Sequence, residues 1–175
     1  MPTLTRNSVV LVTASSAGLG AATARALASS GVRVVVNYLS SREKADQLVQ
    51  DLSQSAPNLK NENDSEGLAD QLPRFISIQA DVSSRAELTR LVHESAAAMG
   101  RLDVVVSNQG WTMIRNFYSL DDNLEESDWD KCFNMNVKSH LFLFHAARKY
   151  LEATEGSFIT TASLAGVVPS GSSLV

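Results

Sequence analysis

The chain alternates between two hydrophobic rhythms. Ser8-Val9-Val10-Leu11-Val12-Thr13 is a continuous apolar, β-branched run ending at a glycine-bearing turn, as a strand buried on both faces reads. From Gly18 the period lengthens. Leu19, Ala22, Ala26 and Leu27 return on one helical face, and Gly31 stands where a closing C′ glycine belongs. Val32-Arg33-Val34-Val35-Val36-Asn37-Tyr38 predicts a second buried strand. A helix from Arg42 then turns Ala45, Leu48, Val49 and Leu52 inward. Phe75-Ile76-Ser77-Ile78-Gln79 is the third strand. Ser84-Arg85-Ala86-Glu87 fits a capping box, with Ser84 accepting from a helix amide and Glu87 reaching back. Leu88, Leu91, Val92, Ser95 and Met99 make the face of that helix, and Gly100 closes it. Leu102-Asp103-Val104-Val105-Val106-Ser107 is the fourth strand. Asp128 to Glu152 reads as one long helix carrying Trp129, Phe133, Val137, Leu141, Phe144 and Tyr150. Ser157-Phe158-Ile159-Thr160-Thr161 is the fifth strand.

Short buried strands separated by amphipathic helices imply a parallel sheet, because parallel neighbours need crossovers. Right-handed crossovers put helices on both faces. The expected fold is therefore α/β, a doubly wound parallel sheet, in one domain spanning 1–175. The rhythm breaks once. Residues 53–70 hold Pro57, Gly67 and many Asn, Asp, Glu and Ser, and are expected to form a polar surface loop inserted in that domain.

Composition narrows the class. The 175 residues are 44% hydrophobic and 19% charged, which suits a globular domain with a substantial core. The net charge of -4 gives no basic footprint for nucleic acid or an anionic membrane surface. No stretch approaches the ~20 apolar residues of a membrane span. Met1 to Ser8 lacks the charged and apolar regions of a secretory signal, so a cytoplasmic location is expected by elimination. The single cysteine, Cys132, has no internal disulfide partner. His93, His140 and His145 have no carboxylate or cysteine at ligand spacing, so no metal site is expected.

The chemistry concentrates at the first turn. Thr13-Ala14-Ser15-Ser16-Ala17-Gly18-Leu19-Gly20 joins the first strand to the first helix. A helix N-terminus offers unpaired amides and partial positive charge. Gly18 lets a pyrophosphate approach the backbone there, and Gly20 permits tight helix–strand contact. NAD binders usually place an Asp or Glu about 20 residues further on, to accept from the ribose 2′-OH. Here the second strand ends Asn37-Tyr38-Leu39-Ser40-Ser41-Arg42, with no carboxylate before Glu43. Arg42 can pair with a 2′-phosphate and Ser41 can donate to it, so NADP(H) is favoured over NAD(H).

These residues resemble the short-chain dehydrogenase/reductase family in its compact single-domain form, over nearly the whole chain. Thr13 to Gly20 is similar to that family's Thr-Gly-x-x-x-Gly-x-Gly turn, which adds Thr13, Ser15, Ser16 and Leu19 to the cofactor contacts. Asp81-Val82 is similar to the acidic pair after the third strand, where Asp81 would contact adenine. Asn108-Gln109-Gly110 resembles the Asn-Ala-Gly after the fourth strand, and Asn136-Val137 the helix asparagine that holds a catalytic water. Thr160-Thr161-Ala162-Ser163-Leu164-Ala165-Gly166 resembles the segment carrying the catalytic serine, here Ser163. The resemblance implies a Rossmann fold, a nicotinamide cofactor and a small carbonyl or alcohol substrate. It also implies homo-oligomerisation.

Three departures stand out. Ala14 replaces the first glycine of the turn, which tests whether that position needs a positive φ. Gln109 replaces the alanine, and either crowds the nicotinamide side or points away. Third, the family's Tyr-x-x-x-Lys motif would fall just past Val175, and no tyrosine or lysine follows Ser163. Only Ser163 and Asn136 of the implied catalytic set are present. The chain is therefore expected to be a shortened oxidoreductase with little or no activity. The alternative is a non-catalytic nucleotide-binding or interaction protein of the same descent. Trp111, Met113, Ile114, Phe117 and Tyr118 are expected to form one wall of an apolar substrate site.

Overall fold

The computed structural model describes residues 4–57, 72–168 and 173–174. Five strands alternate with helices: β1 (Val9–Val12), α1 (Gly18–Ser29), β2 (Arg33–Tyr38), α2 (Arg42–Ser55), β3 (Phe75–Gln79), α3 (Arg85–Met99) and β4 (Val104–Ser107), then α4 (Glu126–Phe133), α5 (Ser139–Thr154) and β5 (Ser157–Thr160). All strand pairs are parallel, in the order β3-β2-β1-β4-β5. This is the doubly wound α/β sheet that the hydrophobic rhythm predicts.

The β-branched strands explain two separate cores. Successive side chains of a strand point to opposite faces. Val10, Val12, Val34 and Val36 pack under α1 and α2, while Val9, Leu11, Val35 and Val105 pack under α3 and α5. Each fully buried Val or Leu contributes about 1.5–3 kcal/mol of transfer free energy. Polar ties then set the strand ends. The buried Asp103 carboxylate accepts from Val9 N at 2.8 Å and from Arg101 Nε at 2.8 Å, joining the start of β1 to β4.

Four details differ from the sequence expectations. First, α1 buries Gly20, Ala21, Ala24 and Ala28, not the face that begins at Leu19, which is 62% exposed. Small residues let this helix lie close on the sheet, so size outweighs hydrophobicity there. Second, the capping box is half formed. Ser84 Oγ accepts from Glu87 N at 3.4 Å, but Glu87 turns to Arg90, and the Ser84 amide donates to Asp81 O. The guanidinium offers a charge-assisted pair that one backbone amide cannot match. Third, α2 runs on to Ser55, so the first residues of the expected 53–70 loop are helical; residues 58–70 lie outside the described residues.

Fourth, the single long helix is interrupted. A π-helical turn, Asn134–Lys138, separates α4 from α5. Beyond it Ser139, Leu143, Ala147 and Leu151 face the core, while Phe133, Val137, Leu141 and Phe144 lie exposed. Both sets repeat every three or four residues, on roughly opposite sides of the helix. Periodicity alone does not choose between them; packing against α3 does. β5 pairs with β4 alone among the described residues. No helix among the described residues is long and apolar enough to cross a membrane.

Candidate functional site

The turn between β1 and α1 opens at the carboxyl end of the strands, where ligands of open α/β sheets bind. Its conformation is unusual at two positions. Ala14 adopts φ 48° and Gly18 φ 56°, both left-handed. The position that carries Ala14 therefore does require a positive φ, and a residue with a side chain supplies it. Asn37 and Asn108 hold it there. Ala14 N donates to Asn37 Oδ1 at 3.0 Å, and Ala14 O accepts from Asn108 Nδ2 at 3.3 Å. A Cβ on Gly20 would come within 2.6 Å of Ala14 O and 2.7 Å of Ser15 Cα, so helix and turn touch backbone to backbone. A Cβ on Gly18 would meet nothing within 4 Å, and no side chain caps the α1 N-terminus. The start of the helix thus faces open space with bare backbone.

The sequence-derived cofactor residues divide into two groups. Thr13, Ser15 and Asn37 are buried and committed to the protein. Ser15 Oγ donates to Val12 O at 2.7 Å and accepts from Asn37 N at 3.0 Å. Asn37 Nδ2 donates to Ile78 O and Ala80 O. Their side chains shape the turn and do not reach its open side. Ser16, Gly18 and Leu19 lie on that open side. Beside them is a hollow of about 440 Å³ between α1 and α2, lined by Ser16, Gly18, Arg25, Lys44 and Asp51 among others. Ser41 is the N-cap residue of α2, with no capping bond from its side chain. Arg42 is 79% exposed and pairs with Asp46 at 3.3 Å, an exposed contact of small worth. Lys44 was missing from the sequence expectations. Its place beside the turn depends on how α2 crosses α1.

Asp81 and Val82 follow β3. Asp81 Oδ1 accepts from Ser83 N at 2.8 Å and Ser83 Oγ at 2.7 Å, which closes the turn into α3. Val82 is buried.

A second cleft, of about 510 Å³, lies at the ends of β4 and β5. It brings together Asn108, Gly110, Trp111, Asn136 and Ser163 from the sequence expectations, and adds His140 and Thr161. Asn108 ties its walls: its amide donates to Thr13 Oγ1 at 2.8 Å, and its Oδ1 accepts from Thr161 Oγ1 at 3.2 Å. Asn136 sits in the π-helical turn, a feature frequent at functional sites. Its side chain is spent on Trp111, accepting from Trp111 N at 2.8 Å and donating to Trp111 O at 2.7 Å. Ser163 Oγ accepts from Ala165 N at 3.2 Å, and its own hydrogen has no acceptor among the described residues. His140 Nδ1 lies 2.6 Å from Ser107 Oγ, and burial pushes the imidazole below its ordinary value of 6.5.

The sequence profile of the short chain dehydrogenases matches residues 8–175. The chain belongs to the short chain dehydrogenase family. Its similarity to a Pestalotiopsis microspora short-chain dehydrogenase/reductase is 34% identity over 82% of this chain and 46% of the relative. A probable tetrahydroxynaphthalene reductase of Zymoseptoria tritici is 34% identical over 90% of this chain and 51% of its own length. Among solved structures, a short chain dehydrogenase from Burkholderia cenocepacia J2315 in complex with NADP superposes with a TM-score of 0.76 at 30% identity. That match covers 96% of this chain and 60% of the other. The chain spans about half the length of the curated relatives it matches.

Within this family member the departures resolve locally. Gln109 is buried at the edge of the cleft, and its amide is taken up inside the protein. Thr13 Oγ1 donates to Gln109 Oε1 at 2.5 Å, and Gln109 Nε2 donates to Ser139 Oγ at 2.8 Å. It thereby links the glycine turn to α5. Of the five residues expected to form an apolar wall, Trp111 alone lines the cleft among the described residues. Ile114 is 80% exposed and Tyr118 95%, because the irregular stretch after β4 folds back through Asn116 and Asn123, not over the cleft. Tyr150 bonds His93 Nδ1 at 2.7 Å between α3 and α5, apart from the cleft residues.

Proposed function

We propose that this chain is the cofactor-binding part of an NAD(P)(H)-dependent oxidoreductase acting on a carbonyl or alcohol carbon, with NADP(H) preferred. The observation that carries it is the opening of α1: two left-handed residues and an uncapped helix start that faces open space. That surface fits a pyrophosphate, whose charge suits the helix N-terminus. NADP(H) is favoured because β2 ends without a carboxylate, while Ser16, Arg25 and Lys44 line the hollow between α1 and α2 and Ser41 and Arg42 begin α2. The bound NADP of the 30% identical Burkholderia relative supports the same choice.

The nicotinamide supplies the hydride chemistry. Ser163, whose hydrogen has no acceptor among the described residues, would donate to the substrate oxygen as negative charge builds there. Asn136 acts as a positioning residue that fixes the Trp111 backbone along the cleft. The 175-residue chain has no tyrosine or lysine after Ser163 to deliver the proton. General acid catalysis is worth about 10²–10⁴-fold, so turnover by this chain alone is expected to be low by that margin. Trp111 in the cleft, and a relative named as a tetrahydroxynaphthalene reductase, support an apolar aromatic substrate.

The test is a titration of the 175-residue chain with NADPH and with NADH, followed by fluorescence and thermal shift. Saturable binding that is tighter for NADPH is expected, and Arg42→Glu with Lys44→Glu should reverse the preference. A folded chain that binds neither nucleotide refutes the proposal.

A further inference from the structure

Ser107, at the end of β4, is fully buried, and its hydroxyl has one hydrogen-bond partner among the described residues, His140 Nδ1 at 2.6 Å. Two arrangements are chemically possible. If Nδ1 carried the proton, Ser107 Oγ would accept it, and the serine's own hydrogen would be left buried and unpaired. An unsatisfied buried donor costs about 1–3 kcal/mol. If Ser107 donates to Nδ1, both groups are satisfied and the neutral imidazole carries its proton on Nε2. The second arrangement wins on that difference. His140 also lines the cleft that holds Asn136 and Ser163, and it is the one ionisable side chain among the cleft's lining residues. Nε2 has no hydrogen-bond partner among the described residues.

We infer that His140 is a ligand-recognition residue, whose Nε2–H is held by Ser107 as a donor to an oxygen acceptor on a molecule bound in the cleft. This deepens the oxidoreductase proposal and rests on it for the chemical class, a carbonyl compound. The Ser107 bond removes the tautomer ambiguity that a free histidine carries, so the donor is ready before binding. Burial disfavours the cation, and no charged group among the lining residues opposes that. The residue therefore selects for a neutral oxygen acceptor rather than for an anion.

The test uses the 175-residue chain with isotopically labelled histidine and a bicyclic ketone, α-tetralone, compared with oxygen-free tetralin. The free chain should show the His140 proton on Nε2 in its imidazole nitrogen shifts. Ketone addition should move that resonance. In His140→Phe the preference for ketone over tetralin should fall about 3–10-fold, the worth of one neutral hydrogen bond. Ser107→Ala, which lets the tautomers mix, should give a smaller loss. A proton on Nδ1 would overturn the inference. So would an unchanged ketone preference in His140→Phe, or a chain that binds NADPH but no ketone. Failure to bind NADPH tells against the cofactor proposal instead, and leaves the tautomer readout standing.

Discussion

Ala14 holds a left-handed conformation at φ 48° in the turn that opens the candidate nucleotide site. An L-residue with a Cβ pays roughly 1–2 kcal/mol there, and glycine pays nothing. Ala14→Gly removes that strain. It also loosens the unfolded chain, which costs back about 0.4–1 kcal/mol. The methyl group is exposed, so no packing is lost. The bonds from Asn37 and Asn108 are made by and to the backbone, so the variant keeps them. The net expectation is a gain of about 0.5–1 kcal/mol, or roughly 1–4 °C in Tm for a chain of this length. Equilibrium urea unfolding of the two proteins measures it, with an unchanged slope confirming that the unfolded state is comparable. Ala14→Val provides the opposite control, because a β-branched side chain fits the left-handed region worse and should lower stability. If Ala14→Gly is no more stable than the parent, the turn is either not left-handed at this position or not strained.

Gly20→Ala should do the reverse of Ala14→Gly: its Cβ would press on backbone at 2.6 and 2.7 Å, so both thermal stability and nucleotide binding should drop, read by melting and by NADPH titration. Gln109→Ala should cost about 1–2 kcal/mol in urea unfolding. Thr13 and Ser139 keep other acceptors, Val106 O and Met135 O, so neither hydroxyl is orphaned, and nucleotide affinity should change little because the Gln109 amide is spent on Thr13 and Ser139. The depressed pKa of His140 sets a sign for pH dependence. The unfolded state takes up a proton near the ordinary value of 6.5 and the folded state only below it. Stability from this group is therefore complete above that pH and is lost as pH falls through the folded value. Comparing melting from pH 7 to 5 in the parent and in His140→Gln should show a shallower loss in the variant. An equal loss would place the titration elsewhere.

What the sequence determined by itself is the alternation. Runs such as Val9–Val12 and Arg33–Tyr38 are too uniformly β-branched for a surface, and the helices between them demand crossovers, so a parallel doubly wound sheet follows from composition in order. The glycine turn was legible for the same local reason, because Gly18 and Gly20 stand where a strand passes into a helix. The tertiary structure decided matters of direction. Leu19 and Ala21 both belong to α1, and only the closeness of helix and sheet turned the small residue inward and the large one out. The stripe from Phe133 to Phe144 and the stripe from Ser139 to Leu151 share nearly the same period, so packing against α3 chose between them. Asn37 stood in the expected ribose region, yet its amide is spent on Ala14 and on the strand next to it. Lys44 and His140 had no motif to mark them. They reach the hollow and the cleft because helices cross at angles that no local pattern encodes. Local propensity is written in neighbouring residues. Which side chain meets which across the sheet depends on long-range packing, and that is settled only when the whole chain folds.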